Sequence, residues 1–545
     1  MKRRTFIKNT IGATAIPVLA SGMPLRLMSN ELMQLMASGT NENIVVLIQL
    51  MGGNDGLNTT IPVSQYDTYK QYRNNIAIPN EGNRKYINLN SADPIEKQLG
   101  IHPDMPDFKQ MFDDKQVTIV QNVAYDNTDL SHFRGRDIWF MGGDSTDSLH
   151  SGWMGRYLDN TYEGYPDEYP NEEMPDPLGL EFGYSMSLAF QREEGIPAGL
   201  AIVDPETFYQ IVSGSGVSPP DWLPDSYYGE ELKFIMDLEL KSNQYAERIK
   251  EVYDLGVNAP EVTYPEEYPG EVAEGYKTND LAWQLQAVAR LLSGGSKTKL
   301  FIVKINGFDT HADQTLPNDP TQGIHAALLY HVFSAVKAFY DDLNAQGFDQ
   351  KLLTFTMSEF GRRVNSNGSY GTDHGMAAPV FLFGPMLKNT IIGDPPDLIN
   401  LNDGNLVHQF DYRQIYTSIL VDWLKAPSEI VEQVGWADYV DSRLDLFHNV
   451  DGIDEQNKLI NHATLSVYPN PARDVTNIKL KLFAGFKIKL QLSDLKGNVV
   501  QEIFSGTKRS GEHLFKINVN GLSPGYYLVQ LTAGNQHKSS KLLVI

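Results

Sequence analysis

Short, fully apolar β-type runs separated by amphipathic helical stretches constrain this chain more than any other feature. Residues 43–50 read NIVVLIQL, with almost no polar interruption. A half-exposed strand would alternate, so a run of this kind suits a central parallel strand covered on both faces. Residues 116–121, 300–305, 352–357 and 380–383 read the same way. Between them, residues 282–292 and 326–343 repeat apolar side chains at i, i+3 and i+4, the spacing of one helix face. Strands alternating with helices predict α/β layering around a mostly parallel sheet.

Three of these runs lead straight into polar clusters. Gly52-Gly53-Asn54-Asp55-Gly56 follows the first. Gly307-Phe308-Asp309-Thr310-His311 and Ser358-Glu359-Phe360-Gly361-Arg362 follow two others, with Asp373-His374 a little further on. In an open parallel sheet such residues gather at the carboxyl edge, where ligands bind. Carboxylates and imidazoles meeting there are the usual ligands of zinc and other divalent metals. Asp55, Asp309, His311, Glu359 and His374 are therefore expected around one cavity.

Composition narrows the class. The chain has no cysteine, which excludes disulfides and thiolate metal sites. Its net charge of −23 argues against a nucleic-acid partner. The charge is uneven: residues 464–545 hold 11 Lys or Arg against 4 Asp or Glu, a net of +7, which leaves −30 for the rest. Such a contrast predicts separate domains. Residues 1–22 read as a signal peptide, with a basic start, a short apolar stretch and small residues near its end. Arg3-Arg4-x-Phe6-x-Lys8 resembles the twin-arginine export signal, with a Sec signal as the alternative. No other stretch is long and apolar enough to be a transmembrane segment.

Residues 162–177 and 260–276 are rich in Pro, Glu and Tyr, and 229–254 form a polar amphipathic helix pattern. Together they predict an inserted cap around 160–276, either shaping a substrate entrance or serving only as a solvated bundle. Residues 449–463 read as a linker. Beyond them the apolar period switches to two over seven short runs, which predicts a small all-β sandwich.

Six ordered segments carry a family resemblance: MGGNDGLNTTIP (51–62), SHFRGRDIWFMG (131–142), SGWMGRYLD (151–159), NGFDTHADQ (306–314), SEFGRRVNSNGSYGTDHG (358–375) and DYRQIYTSILVDWL (411–424). Through them, residues 43–448 resemble the DUF1501 family of the alkaline phosphatase-like superfamily, which includes sulfatases. The tail resembles the type A sorting domain of the type IX secretion system through LSVYPNPARDVTNIKL (465–480), LSDLKGNVV (492–500) and NGLSPGYYLVQLTAGNQHKSSKLLVI (520–545). That resemblance implies export through the periplasm to the cell surface or the medium.

The superfamily resemblance also assigns roles. It implies a metal-binding carboxylate after the first strand, here Asp55, although an Asp in such a turn also serves as a cap. It implies a Ser or Thr nucleophile at a helix N-terminus: Ser131, or Thr128 in second place, with Ser131 as a helix cap the alternative. Arg134 or Arg136 would hold a sulfate or phosphate. The superfamily's Asp-x-x-x-His pair appears here as Asp309-x-His311, with Asp313 a substitute. Its Asp-His pair at a strand end is replaced by Glu359-Phe360. His374 then matches its later, separate His, oriented by Asp373; a rival alignment makes Asp373-His374 the pair itself. Hard oxygen with imidazole suits zinc, manganese or iron; the cofactor expected is a divalent metal, zinc, manganese or calcium. The expected protein is a three-layer α/β, alkaline phosphatase-like domain with a mostly parallel sheet, followed by a sandwich. The expected function is metal-dependent hydrolysis of an anionic sulfate or phosphate ester. The alternative is a non-catalytic surface protein that binds glycan or envelope components.

Overall fold

Residues 44–51 form the centre of a large sheet, as their apolar run predicts. The computed structural model describes residues 19–20, 23–24, 42–193, 196–214, 243–388, 390–448 and 464–545, the last without 483–485, 495–498, 509–510 and 534–535. The expected linker at 449–463, most of the expected signal peptide at 1–22 and the first half of the helix expected at 229–254 lie outside the described residues. The chain divides into two units, Met1–Pro385 with Asn389–Asp445, and Met386–Lys388 with Leu446–Ile545.

Among the strands of the first unit, those of the main sheet and the site are β1 (Ile44–Met51), β2 (Val117–Ala124), β3 (Gly179–Phe182), β4 (Leu200–Ile202), β5 (Leu300–Asn306) and β6 (Leu352–Met357), then a hairpin of β7 (Gly361–Ser366) and β8 (Thr372–Gly375), then β9 (Ala378–Phe383), β10 (Ile391–Ile392) and β11 (Phe410–Asp411). All but the hairpin join one sheet, in the order β10–β2–β9–β6–β1–β5–β3–β4, with β11 also beside β2. Six of its pairings are parallel. The two antiparallel ones both involve β9. In register, Asn306 pairs with Met51 and Met357 with Gln49, so β1, β5 and β6 end almost level.

The reversed direction of β9 corrects the expectation of a parallel strand at residues 380–383. An apolar run reports burial and carries no direction. A parallel return needs a crossover of a dozen or more residues, usually helical. Here the connection from β6 holds only the β7–β8 hairpin, so the chain re-enters the sheet from the edge it has just left.

The main helices are α1 (Pro106–Asp113), α2 (His132–Met141), α3 (Trp153–Thr161), α4 (Asp280–Ser293), α5 (Ile324–Gln346) and α6 (Tyr412–Ser418). Alternate sheet residues Val46, Ile48, Phe301, Val303 and Phe381 share one core cluster with Phe108 of α1, Leu285 of α4 and Phe333 of α5. Their neighbours Leu47, Ile302 and Phe355 are buried as well, on the other face. There Phe355 meets Tyr416 of α6 at 5.7 Å between ring centroids. Both faces are covered, which gives the three expected layers.

The segment 160–276 is not wholly a cap. Its strands β3 and β4 extend the main sheet beyond β5, with Leu180 and Phe182 buried in the core. Residues 243–255 are helical, and Ile249 and Val252 belong to the same core.

The tail builds all seven expected strands: β12 (Thr464–Tyr468), β13 (Val475–Leu482), β14 (Phe486–Asp494), β15 (Val499–Lys508), β16 (Gly511–Asn518), β17 (Gly525–Ala533) and β18 (Gln536–Val544). They form two sheets, β12–β13–β16 and β15–β14–β17–β18. Ile478, Leu480 and Ile517 from one sheet share a core with Leu490, Leu492, Val529 and Leu531 from the other. Period-two alternation thus buries one face of each sheet against the other.

Candidate metal centre at the carboxyl edge

The loops after β1, β5 and β6 meet because of a glycine. Gly52 has φ +124°, and a Cβ there would lie 2.1 Å from the backbone nitrogen of Asp309. Only a residue without a side chain lets these loops touch. Gly52 also donates its N–H to Glu359 Oε1 at 2.8 Å. His132 enters as the first residue of α2, and His374 from β8, where it pairs across the hairpin with Arg362.

Around the half-exposed Asp309 carboxylate stand three imidazoles. His374 Nε2 lies 3.3 Å and His311 Nε2 3.2 Å from Asp309 Oδ1. His132 Nε2 lies 3.4 Å from Oδ2. The Nε2 atoms of His311 and His374 are 2.9 Å apart. Ligand atoms of His132, Asp309 and His374 all lie within 4.8 Å of one another.

The far nitrogens decide the protonation. His374 Nδ1 faces the Leu130 carbonyl at 2.8 Å. His132 Nδ1 faces Glu359 Oε1 at 2.9 Å. His311 Nδ1 faces Asp373 Oδ1 at 3.3 Å. Each partner only accepts, so each neutral ring carries its proton on Nδ1 and turns a lone pair inward. Three lone pairs and a carboxylate then face one another, and among the described residues Arg362 is the donor that reaches them. A cation or extra protons must satisfy such a set, and this donor chemistry fits a divalent metal.

Charge follows the same logic. The Glu359 hydrogen bond, with its charge, raises the His132 pKa against the opposing effect of burial. Burial lowers that of His374, with the charge of Arg362 adding to it. Burial pushes Asp309 up, but hydrogen bonding and charge from Arg362 outweigh it and leave the pKa lowered.

The structure thus brings Asp309, His311 and His374 together, with Glu359 one step back as the carboxylate that orients His132. Asp55 does not join them. It is fully buried and ion-paired to Arg73 at 2.5 Å, with Gln314 Nε2 on the same oxygen at 2.5 Å. Burial would raise its pKa, yet the Arg73 charge and hydrogen bond bring it down. A carboxylate already neutralised by a buried guanidinium makes a poor cation ligand. Asp373 orients His311, not His374. Neighbours on a strand point to opposite faces, so Asp373 cannot brace the ring beside it. Asp313 is exposed; its backbone N–H donates to Ser369 O at 3.0 Å.

Ser131 is the N-cap residue of α2 and is exposed, but its hydroxyl makes no capping hydrogen bond. Thr128 donates its hydroxyl to Tyr125 O at 2.7 Å. Arg134 donates through Nη2 to the carbonyls of Ser145, at 3.2 Å, and Asp147, and so braces a loop. Arg136 contacts Asp137 at 3.3 Å. Phe360 is buried as a wall against the imidazoles, its ring 4.5 Å from His374 and 5.0 Å from His132.

Sequence reasoning missed His132. It lies in a quoted motif, yet it opens a helix after a loop and follows no strand directly. The signal available was its place beside Ser131 at a helix start.

Behind the site, His325 is buried and faces Asn54 Oδ1 at 3.2 Å. Burial lowers its pKa to about 4. The folded state therefore favours neutral His325, and its share of stability is complete above the unfolded value of about 6.5. That share is lost as pH falls from about 6.5 towards 4, roughly 3 kcal/mol in all. The melting temperature should drop across that window, and His325→Gln should flatten the drop. An equally steep drop in His325→Gln would assign the effect elsewhere.

These features define an open, mostly parallel α/β sheet with a His and Asp cluster at its carboxyl edge. Residues 235–411 match the family model described as protein of unknown function, DUF1501. Residues 466–545 match the secretion system C-terminal sorting domain, which marks the chain for type IX export to the cell surface or beyond. Among the described residues no helix is long and apolar enough to cross a membrane. No curated protein matches the sequence. Among solved structures, a protein in the alkaline phosphatase superfamily from Vibrio parahaemolyticus is 10% identical, over 82% of this chain and 76% of that one, with a TM-score of 0.32. Alkaline phosphatase from the Antarctic bacterium TAB5 is 11% identical, over 65% and 95%, with a TM-score of 0.25. Dimeric latent PorU from Porphyromonas gingivalis is 15% identical over 15% of this chain, with a TM-score of 0.14, and the match spans only 9% of that chain.

Proposed function

We propose that the chain is an exported, metal-dependent hydrolase of sulfate or phosphate esters. The observation that supports this most is the inward convergence of three imidazole lone pairs and the Asp309 carboxylate. Asp309, His132, His311 and His374 would hold the metal. Glu359 and Asp373 fix the rings of His132 and His311 from behind. A bound divalent cation supplies Lewis-acid charge, which polarises an ester and eases ionisation of an attacking hydroxyl. Ser131 offers that hydroxyl: it is exposed, released from capping, and at the end of α2 where N–H groups favour an anion.

One observation favours the alternative of a glycan- or envelope-binding surface protein. Arg362, the guanidinium at the cluster, donates from all three nitrogens to backbone carbonyls and Asp309 and so is not offered to an anionic group. Metal analysis of the purified chain, with a screen of aryl sulfate and phosphate esters, separates the readings. The hydrolase should contain metal, turn over an ester and stop when chelated. Ser131→Ala should cut turnover by several powers of ten with metal content intact. Bound metal without turnover of any ester would leave the binding reading.

A further inference from the structure

Arg362 is fully buried, a costly place for a guanidinium unless its nitrogens find acceptors. All three nitrogens donate. Nε donates to Gly53 O at 2.8 Å and Nη1 to Thr372 O at 2.8 Å. Nη2 donates to Gly52 O, to Phe308 O at 2.9 Å and to Asp309 Oδ1 at 2.9 Å. One side chain thus ties the loop after β1, the loop after β5 and strand β8 together. Its own backbone pairs with His374 across the hairpin.

These are the segments that carry the cluster. Asp309 is half-exposed and would otherwise sample several rotamers; the Nη2 contact holds Oδ1 and leaves Oδ2 towards His132. The Thr372 contact holds β8 two residues before His374. The Gly52 and Gly53 contacts hold the loop whose N–H anchors Glu359, and Glu359 in turn orients His132. Lysine would keep the charge but lacks the planar fork that reaches several acceptors at once.

We propose that Arg362 is the positioning residue of this site, the group that sets Asp309, His132 and His374 in a common register. The inference rests on the metal reading above. It places Arg362 behind the ligands, touching neither substrate nor metal.

Cobalt(II) tests it on the full chain, because its visible absorption reports ligand geometry directly. Arg362→Lys should stay folded by near-ultraviolet circular dichroism. It should bind cobalt about tenfold to a hundredfold more weakly in competition with a chelator, the usual cost of losing an outer-shell partner, and show altered band positions. A merely structural role would lower the melting temperature and leave those bands unchanged. Arg362→Gln serves if Arg362→Lys does not fold. Its planar amide still donates to one carbonyl but cannot bridge the loops, so weaker binding and shifted bands are again expected. Native bands and affinity in either folded variant would overturn the proposal while leaving the metal reading intact. A wild-type chain that takes up no cobalt would overturn both.

Discussion

Replacing His132 with alanine should remove metal and turnover together. His132 supplies one of the inward nitrogens and joins that cluster directly to Glu359. Removing an outer-shell partner alone costs tenfold to a hundredfold in metal affinity, so removing a ligand should cost at least about a hundredfold. Glu359→Gln should fall in the smaller range, because the amide still reaches His132 and only the charge is gone. The ordering matters more than either value. If Glu359→Gln costs more than His132→Ala, then Glu359 is itself a ligand, as its position after β6 first led us to expect. His132 is a third exposed, so its loss should leave folding nearly intact. Chelator competition and melting curves on the same preparations separate the two effects.

The parts of this site that were legible in the sequence share one cause. Asp309, His311 and Glu359 follow β5 and β6 within a few residues, and a continuous apolar strand that ends in polar residues advertises its carboxyl edge. His374 was legible through the same logic one hairpin later. The parts that were not legible depend on where side chains point. Asp55 has the right sequence position, but Arg73, eighteen residues on, captures its carboxylate in the core. Nothing in residues 66–73 marks that arginine as turning inward. Asp373 and His374 are adjacent, and which of them enters the pocket depends on the pleat of β8, which rests on hairpin register rather than on composition. The direction of β9 escaped for a similar reason: burial on both faces leaves no trace of strand polarity. Arg362 stood in plain view in the motif SEFGRR, yet its role exists only because three loops present carbonyls to it.

Deleting residues 464–545 should strand a folded protein inside the cell envelope. The two sheets of the tail close their own core, in which Leu480, Leu490, Leu492, Val529 and Leu531 are buried to within a percent or two. The main sheet likewise buries β1, β5 and β6 among its own helices. A unit that covers its apolar surface with its own elements does not need the other for stability. The melting temperature of the first unit should therefore move little on truncation, and any metal uptake should persist. Export should not persist, because the matched sorting domain is the deleted segment. The expected result is all-or-none: full-length chain at the surface or in the medium, and truncated chain in the periplasmic fraction, folded and resistant to protease. Grafting residues 464–545 onto an unrelated periplasmic protein should carry that protein outward. Delivery of the truncated chain would remove the tail from the export mechanism. Unfolding of the truncated chain would show instead that the sandwich contributes to the core, contrary to the separate hydrophobic clusters of the two units.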